Sequence, residues 1–348
     1  MASTYSWHPG ANGLSSIWPV ATHLMPDELF SGWVVRAALN QGCSLKTLIT
    51  SIDGGLKYRD FDRGLSASQL DQLSKLSGIA ADCFPSAMLS IVRNRLGVGK
   101  ANRTIWPWVL PLGTQTPQKR RGIQFCPICW QSDRIVYQRL HWRFAWHTIC
   151  DTHKVFLTDE CYECGSAIHP HWLNQNEKKI STCSNCASDL SLTTPKKSLR
   201  GVMYQNLADV VLKSDTGVAW GETISASKWF RCLELIIVNL RSMLRESKAQ
   251  FTIKLSRCGI NVEDLVADCS PRSYELLNVE ERNALFIISS EIMASSHSDM
   301  RAIFCGSDKA WPKPTWRPPI SAKKYSPRSR EEVDILMAKL LRTAGKHE

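Results

Sequence analysis

Three features of the 348-residue sequence predict its fold class. Apolar residues recur at helical spacing in both flanks, and eight cysteine and histidine residues fall in four closely spaced pairs between them. Beyond these, Pro-bearing or basic stretches separate the patterned segments. Together they predict a mainly α protein with small zinc-ribbon-like elements: an N-terminal helix-turn-helix, a central double zinc-finger module and a C-terminal helical region. The expected boundaries are 1–105 for the first domain, 106–122 for a linker and 123–192 for the metal module. A helical domain over 193–300 and a basic, proline-containing tail with a terminal helix over 301–348 follow.

In chain order, Pro26-Asp27-Glu28 is expected to open a helix, because proline and acidic residues suit a first turn. Its apolar stripe is Leu29, Phe30, Trp33, Val34, Ala37 and Ala38. Gly42 supplies a stop. Ser44 can cap a short second helix carrying Leu45, Leu48, Ile49 and Ile52, which Asp53-Gly54-Gly55 ends. A third helix is expected from Ser66, with Leu70, Leu73 and Leu76 as its stripe and Ser77-Gly78 as its end, and a fourth from about Ser86 to Arg95. Short helices joined by tight turns suggest a helix-turn-helix, although a plain helical bundle has the same signature. The stretch from Trp106 to Gly122 reads as a connector that becomes basic at Lys119, Arg120 and Arg121.

The cysteines carry the sharpest signal. Cys126-x2-Cys129-x20-Cys150-x2-His153 and Cys161-x2-Cys164-x18-Cys183-x2-Cys186 each supply four soft or borderline donors. That is the closed tetrahedral set of a structural zinc site, with no position left for water or substrate. Two structural Zn2+ are therefore expected, paired sequentially. A RING domain would interleave the pairs, but its fourth and fifth ligands usually lie two or three residues apart, whereas seven residues separate His153 from Cys161. Cys43, Cys83, Cys232, Cys258, Cys269 and Cys305 are scattered and read as small buried hydrophobes. His147, His169 and His171 stand outside any knuckle and read as surface or packing residues. Arg134, Tyr137, Arg139, Trp142, Arg143 and Trp146 interleave charge with aromatic rings. Arg139 and Arg143 are candidate nucleic-acid contacts, while Trp142 and Trp146 suit the small core of a metal module.

Beyond Leu190, helical patterns run over about Val202 to Lys213, Ser227 to Arg245, Asn261 to Asp268 and Val279 to Met293. Ser307 to Arg330 holds seven basic residues against Asp308, with five prolines, and is expected to be extended. Lys323 and Lys324 in this stretch are further candidate phosphate contacts. A final amphipathic helix, about Arg330 to Thr343, carries Val333, Leu336, Met337, Leu340 and Leu341.

Lysine and arginine exceed aspartate and glutamate by 43 − 32 = +11, which favours an anionic partner. Seven ligand thiolates (−7) and two zinc ions (+4) would bring this to roughly +8. The N-terminus lacks the pattern of a secretory signal and no apolar run is long enough to span a bilayer, so a cytoplasmic, nucleoid-associated protein is expected. Gly99-Lys100 and Gly345-Lys346 lack the remainder of a phosphate-binding loop. No catalytic residues are assigned and no enzymatic activity is expected, although a carboxylate nuclease site could be assembled from distant positions.

Two blocks together resemble the TniQ family, the target-selection proteins of certain bacterial transposons. The first is Pro26-Asp27-Glu28-Leu29-Phe30-Ser31-Gly32-Trp33-Val34-Val35-Arg36. The second is Cys126-Pro127-Ile128-Cys129, Asp133, Tyr137, Arg139, Trp142-Arg143, Cys150, His153, Leu157 and Cys161. The likeness covers about the first 190 residues. Trp130, Asp151 and Tyr162 depart from the family pattern without removing a ligand. The resemblance implies an adaptor that connects a target-recognition event to an AAA+ ATPase, which recruits the transposase. That event is direct DNA binding or an RNA-guided CRISPR Cascade complex. A zinc-containing DNA-binding transcription regulator is the alternative. The oligomeric state stays open, a homodimer included.

Overall fold

The computed structural model describes residues 18–52, 60–98, 105–112, 123–174, 176, 177, 179–263, 265 and 272–304. Its contacts divide the chain into two compact units, each assembled from three stretches: 1–91, 111–144 and 157–195 in the first, and 92–110, 145–156 and 196–348 in the second.

In the first unit, α1 (Phe30–Asn40) begins later than the sequence suggests, and no acidic residue occupies its first turn. Asp27 takes a left-handed φ of 61°. Residues 27–29 are drawn into a ladder with 138–140, in which Leu29 N donates to Gln138 O at 2.7 Å and Leu140 N donates to Asp27 O at 2.8 Å. Glu28 is committed elsewhere: its carboxylate accepts from Arg36 Nε and Nη2, each at 2.7 Å, and from Met25 N at 2.9 Å. Burial raises the Glu28 pKa, and Arg36 opposes that rise. Helix α1 is buried on every side from Phe30 to Ala38. Gly32 is required there, because a Cβ would lie 2.7 Å from Gln138 Cβ. Trp18, Phe30, Trp33 and Phe84 form an aromatic cluster at its centre, with neighbouring centroids 5.1–6.0 Å apart.

Ser44 caps α2 (Leu45–Thr50) by accepting from Thr47 N at 3.2 Å. Ser66 and Gln69 close a capping box on α3 (Ala67–Ser77), which stops at left-handed Gly78. The single helix expected over Ser86 to Arg95 is replaced by two 3₁₀ runs, Ala81–Ala87 and Leu89–Val92. Pro85 sits inside the first run, and Met88 breaks the chain into extended conformation between them. Asp53-Gly54-Gly55 and residues 113–122 lie outside the described residues.

In the second unit, Trp106, Trp108, Val109 and Leu110 are buried. Trp108 packs against Trp146, Phe230, Tyr274 and Phe286, and its backbone N donates to Glu275 Oε1 at 2.9 Å. Helices α5 (Val202–Ser214), α6 (Ala226–Arg257) and α7 (Val279–Ala294) follow the sequence pattern. Helix α6 runs further than expected, past a non-helical Ser247. Asn278 and Glu281 form the capping box of α7. Of the helix expected over Asn261 to Asp268, residues 261–263 and 265 are not helical, because Asn261 Oδ1 captures Glu263 N at 2.9 Å. The other positions lie outside the described residues.

The sequence patterns did not anticipate the antiparallel hairpin β1 (Thr216–Ala219) and β2 (Glu222–Ser225), or α8 (His297–Phe304). Trp220 and Gly221 turn the hairpin with φ of 48° and 81°, the pair of positive values that a two-residue turn needs. Gly217 faces α5 and α6, where a Cβ would meet Trp229 Cδ1 at 2.6 Å and Val211 Cγ2 at 2.8 Å. Among the described residues no helix is long and apolar enough to cross a membrane.

Candidate metal centres

Three of the four ligand pairs are built to one local plan. In each, the first ligand's backbone N donates to the carbonyl five residues on: Cys150 to Val155 (2.8 Å), Cys161 to Ser166 (2.8 Å) and Cys183 to Ser188 (2.9 Å). Its carbonyl accepts from the backbone N four residues on, that of Lys154, Gly165 or Ala187, each at 2.9 Å. Those three residues adopt left-handed φ of 54°, 66° and 62°. An isolated bridge closes each loop: Ile149 with Phe156, Glu160 with Ala167, and Thr182 with Asp189. In the two four-cysteine loops backbone amides are directed at the first thiol, those of Glu163 and Cys164 at Cys161 and those of Asn185 and Cys186 at Cys183. Only Gly165 advertises the left-handed position in the sequence. Lys154 and Ala187 hold it against their side chains, a strain that persists where surrounding structure enforces it.

The pair Cys126 and Cys129 is built differently. Cys126 is the N-cap of the short helix α4 (Pro127–Ser132), with Pro127 at the first position. Phe125 is tied to Thr158 by backbone bonds of 3.0 and 2.8 Å, and it stacks on Trp130 at 4.1 Å.

The ligand atoms of Cys126, Cys129, Cys150 and His153 lie within 4.8 Å of one another, and so do those of Cys161, Cys164, Cys183 and Cys186. The pairs are thus gathered in sequential order rather than interleaved. The separations fit a tetrahedral ion. With metal–sulfur bonds of about 2.3 Å, ligand sulfurs should stand about 3.8 Å apart, and a sulfur and an imidazole nitrogen about 3.6 Å. Cys164 Sγ and Cys183 Sγ are 3.8 Å apart, Cys161 Sγ and Cys186 Sγ 3.6 Å, and Cys150 Sγ and His153 Nδ1 3.6 Å. These distances are far beyond a disulfide bond. Both sets can hold a metal ion.

The thiols of the four-cysteine set are pulled in opposite directions. Hydrogen bonds from Ser166 and Asn185 bring the exposed Cys164 down to about 6, whereas burial pushes Cys161 up to about 12 and raises Cys183. A bound cation would draw off the remaining protons, so metal affinity should weaken as pH is lowered.

The candidate nucleic-acid contacts fare unevenly. Lys119, Arg120, Arg121, Lys323 and Lys324 lie outside the described residues. Arg143 is a core residue and offers no surface to a phosphate: it is fully buried, and its guanidinium pairs with Asp60 at 2.7 Å and with Asp62. Burial disfavours that charge, but the two carboxylates outweigh it and keep the Arg143 pKa raised. Burial raises Asp62 to about 7 despite Arg143, and Asp60 adds to the rise. Arg139 is largely enclosed, bidentate to Asp133 at 2.9 and 3.0 Å and lying over Tyr137 and Trp142. Trp142 and Trp146 are buried as packing residues, and so are His147 and His169.

No curated protein matches the chain. Residues 19–157 match the model of the TniQ family, a stretch that holds the buried α1, the Arg143 cluster and all four ligands of the first metal set. Over that region the chain is similar to the TniQ family.

Proposed function

We propose that this protein is the target-selection adaptor of a bacterial transposon, bridging a target-bound complex to an AAA+ ATPase that recruits the transposase. The observation that carries this reading is the family match over residues 19–157, since TniQ proteins work with transposition machinery. The composition of the sites agrees with it. Two closed donor sets would hold Zn2+ as structural ions and leave no coordination position for substrate. The chain thus supplies surfaces, not catalysis. Targeting occurs through DNA contacted directly or through an RNA-guided Cascade complex. The net positive charge suits weak, salt-sensitive phosphate contact.

The test is transposition in cells lacking this chain while the ATPase and transposase remain, scored for frequency and insertion site. Targeted insertion should be lost. Undiminished, unchanged targeting would overturn the adaptor reading, and tight binding of the purified protein to one DNA sequence would favour a transcription regulator.

A further inference from the structure

Inside the first unit a small cavity lies against the buried helix α1. Ser31, Gly32 and Val35 of α1, the ladder residue Gln138, and Pro170 and His171 of the 3₁₀ turn Pro170–Trp172 line it, and the rest of its wall is apolar. The space open to the centre of a water is about 20 Å3. One water needs roughly 10–15 Å3 by that measure.

Two buried polar atoms belong to this wall. Gln138 Oε1 and His171 Nε2 have no hydrogen-bond partner among the described residues, and so do not bond each other, although buried polar atoms are almost always paired with protein or with ordered water. Gln138 is fully inaccessible and doubly held. Its backbone O accepts from Leu29 N at 2.7 Å, and its Nε2 donates to Gln124 O at 3.3 Å. Turning the amide over would set two acceptors against each other, so Oε1 must find its donor elsewhere. Ser31 does not supply it, because its Oγ gives its proton to Asp62 Oδ2 at 2.8 Å.

We propose that the cavity binds a single water, which donates one hydrogen to Gln138 Oε1 and makes its second bond to His171 Nε2. The water accepts from Nε2 in one imidazole tautomer and donates to it in the other, so both atoms are satisfied in either case. A neutral ligand suits a neutral wall. Among the described residues no carboxylate, lysine or arginine lines the cavity, and burial lowers the His171 pKa to about 3, keeping the ring uncharged. His169 and Arg143 push in the same direction, and Asp60 opposes them. The bridge joins the 3₁₀ turn to residue 138, whose backbone also holds the entry of α1. It therefore sits where the three chain stretches of the first unit meet.

A crystal structure of the full-length, metal-loaded chain, at a resolution that shows ordered water, tests the assignment. It should contain one isolated peak within about 3.2 Å of both Gln138 Oε1 and His171 Nε2. An empty cavity, a peak that reaches only one of the two atoms, or a side chain filling the space would overturn the proposal. In Gln138→Met the peak should be gone, and its persistence would refute the bridge. Solution spectra give an independent reading. The ring 15N signals of His171, identified by their loss in His171→Phe, should keep the neutral pattern down to about pH 5. Titration near 6.5, the ordinary histidine value, would mean that bulk solvent reaches the ring, and it too would overturn the enclosed site.

Discussion

Residues 157–195 and residues 202–304 are held together by different forces. Among its described residues the first region has only brief 3₁₀ turns and isolated bridges, and its four cysteines converge at one point. The second packs α5, α7 and the hairpin on α6 through Trp229, Phe230, Leu233, Ile236, Ile237 and Leu240, all essentially inaccessible to solvent. The helical region has enough apolar burial to order itself. The knuckle region has little regular hydrogen bonding, and metal binding would supply the folding free energy it lacks.

The largest effect should come from Cys183→Ser. Metal content should fall from about two ions per chain to about one, and residues 157–195 should lose protection from proteolysis and hydrogen exchange. Helices α5–α8 should keep theirs. Simultaneous loss of protection in the helices would break the comparison. Trp229→Ala is the converse experiment. It removes a fully buried ring and its Nε1 bond to Val218 O (3.1 Å), so denaturant unfolding should show a cost of about 3–5 kcal/mol with metal content unchanged.

A smaller effect is expected from Asn278→Ala. It removes the side-chain acceptor for Glu281 N (2.8 Å) at the start of α7 and should cost about 1 kcal/mol, again without loss of metal. The subtlest test concerns the buried charges of the first unit. The folded Asp62 pKa, about 7, lies above the ordinary aspartate value of 3.8. Its contribution to stability is therefore fully present below the unfolded pKa and is lost as pH rises through about 7. The difference in stability between the unsubstituted chain and Asp62→Asn should shrink or reverse across that window. A difference independent of pH would show that the carboxyl group does not titrate there.

Much of the molecule was legible along the chain. The Ser44 and Ser66 caps, the Gly78 stop and the bodies of α3, α5, α6 and α7 rest on contacts within a few residues, which spacing reports directly. The ligand pairs were equally visible, because a knuckle needs two donors one turn apart. The start of α1 was not visible, since Asp27 and Glu28 are claimed by a strand-like pairing with residues more than 100 positions away. The hairpin was missed although Gly221 marked its turn.

The sequence alone therefore determined the local units and the donor sets, because helix period, capping and ligand spacing act over about one or two turns of chain. Tertiary structure alone decided the roles of the charges. Arg139 and Arg143 read as nucleic-acid contacts until folding brought Asp60 and Asp62 from more than 80 residues away to enclose Arg143 and set Asp133 against Arg139. Tertiary structure also decided the interleaving of three stretches in each unit. The physical reason is that burial and ion pairing depend on distance in space, which a pattern along the chain does not encode.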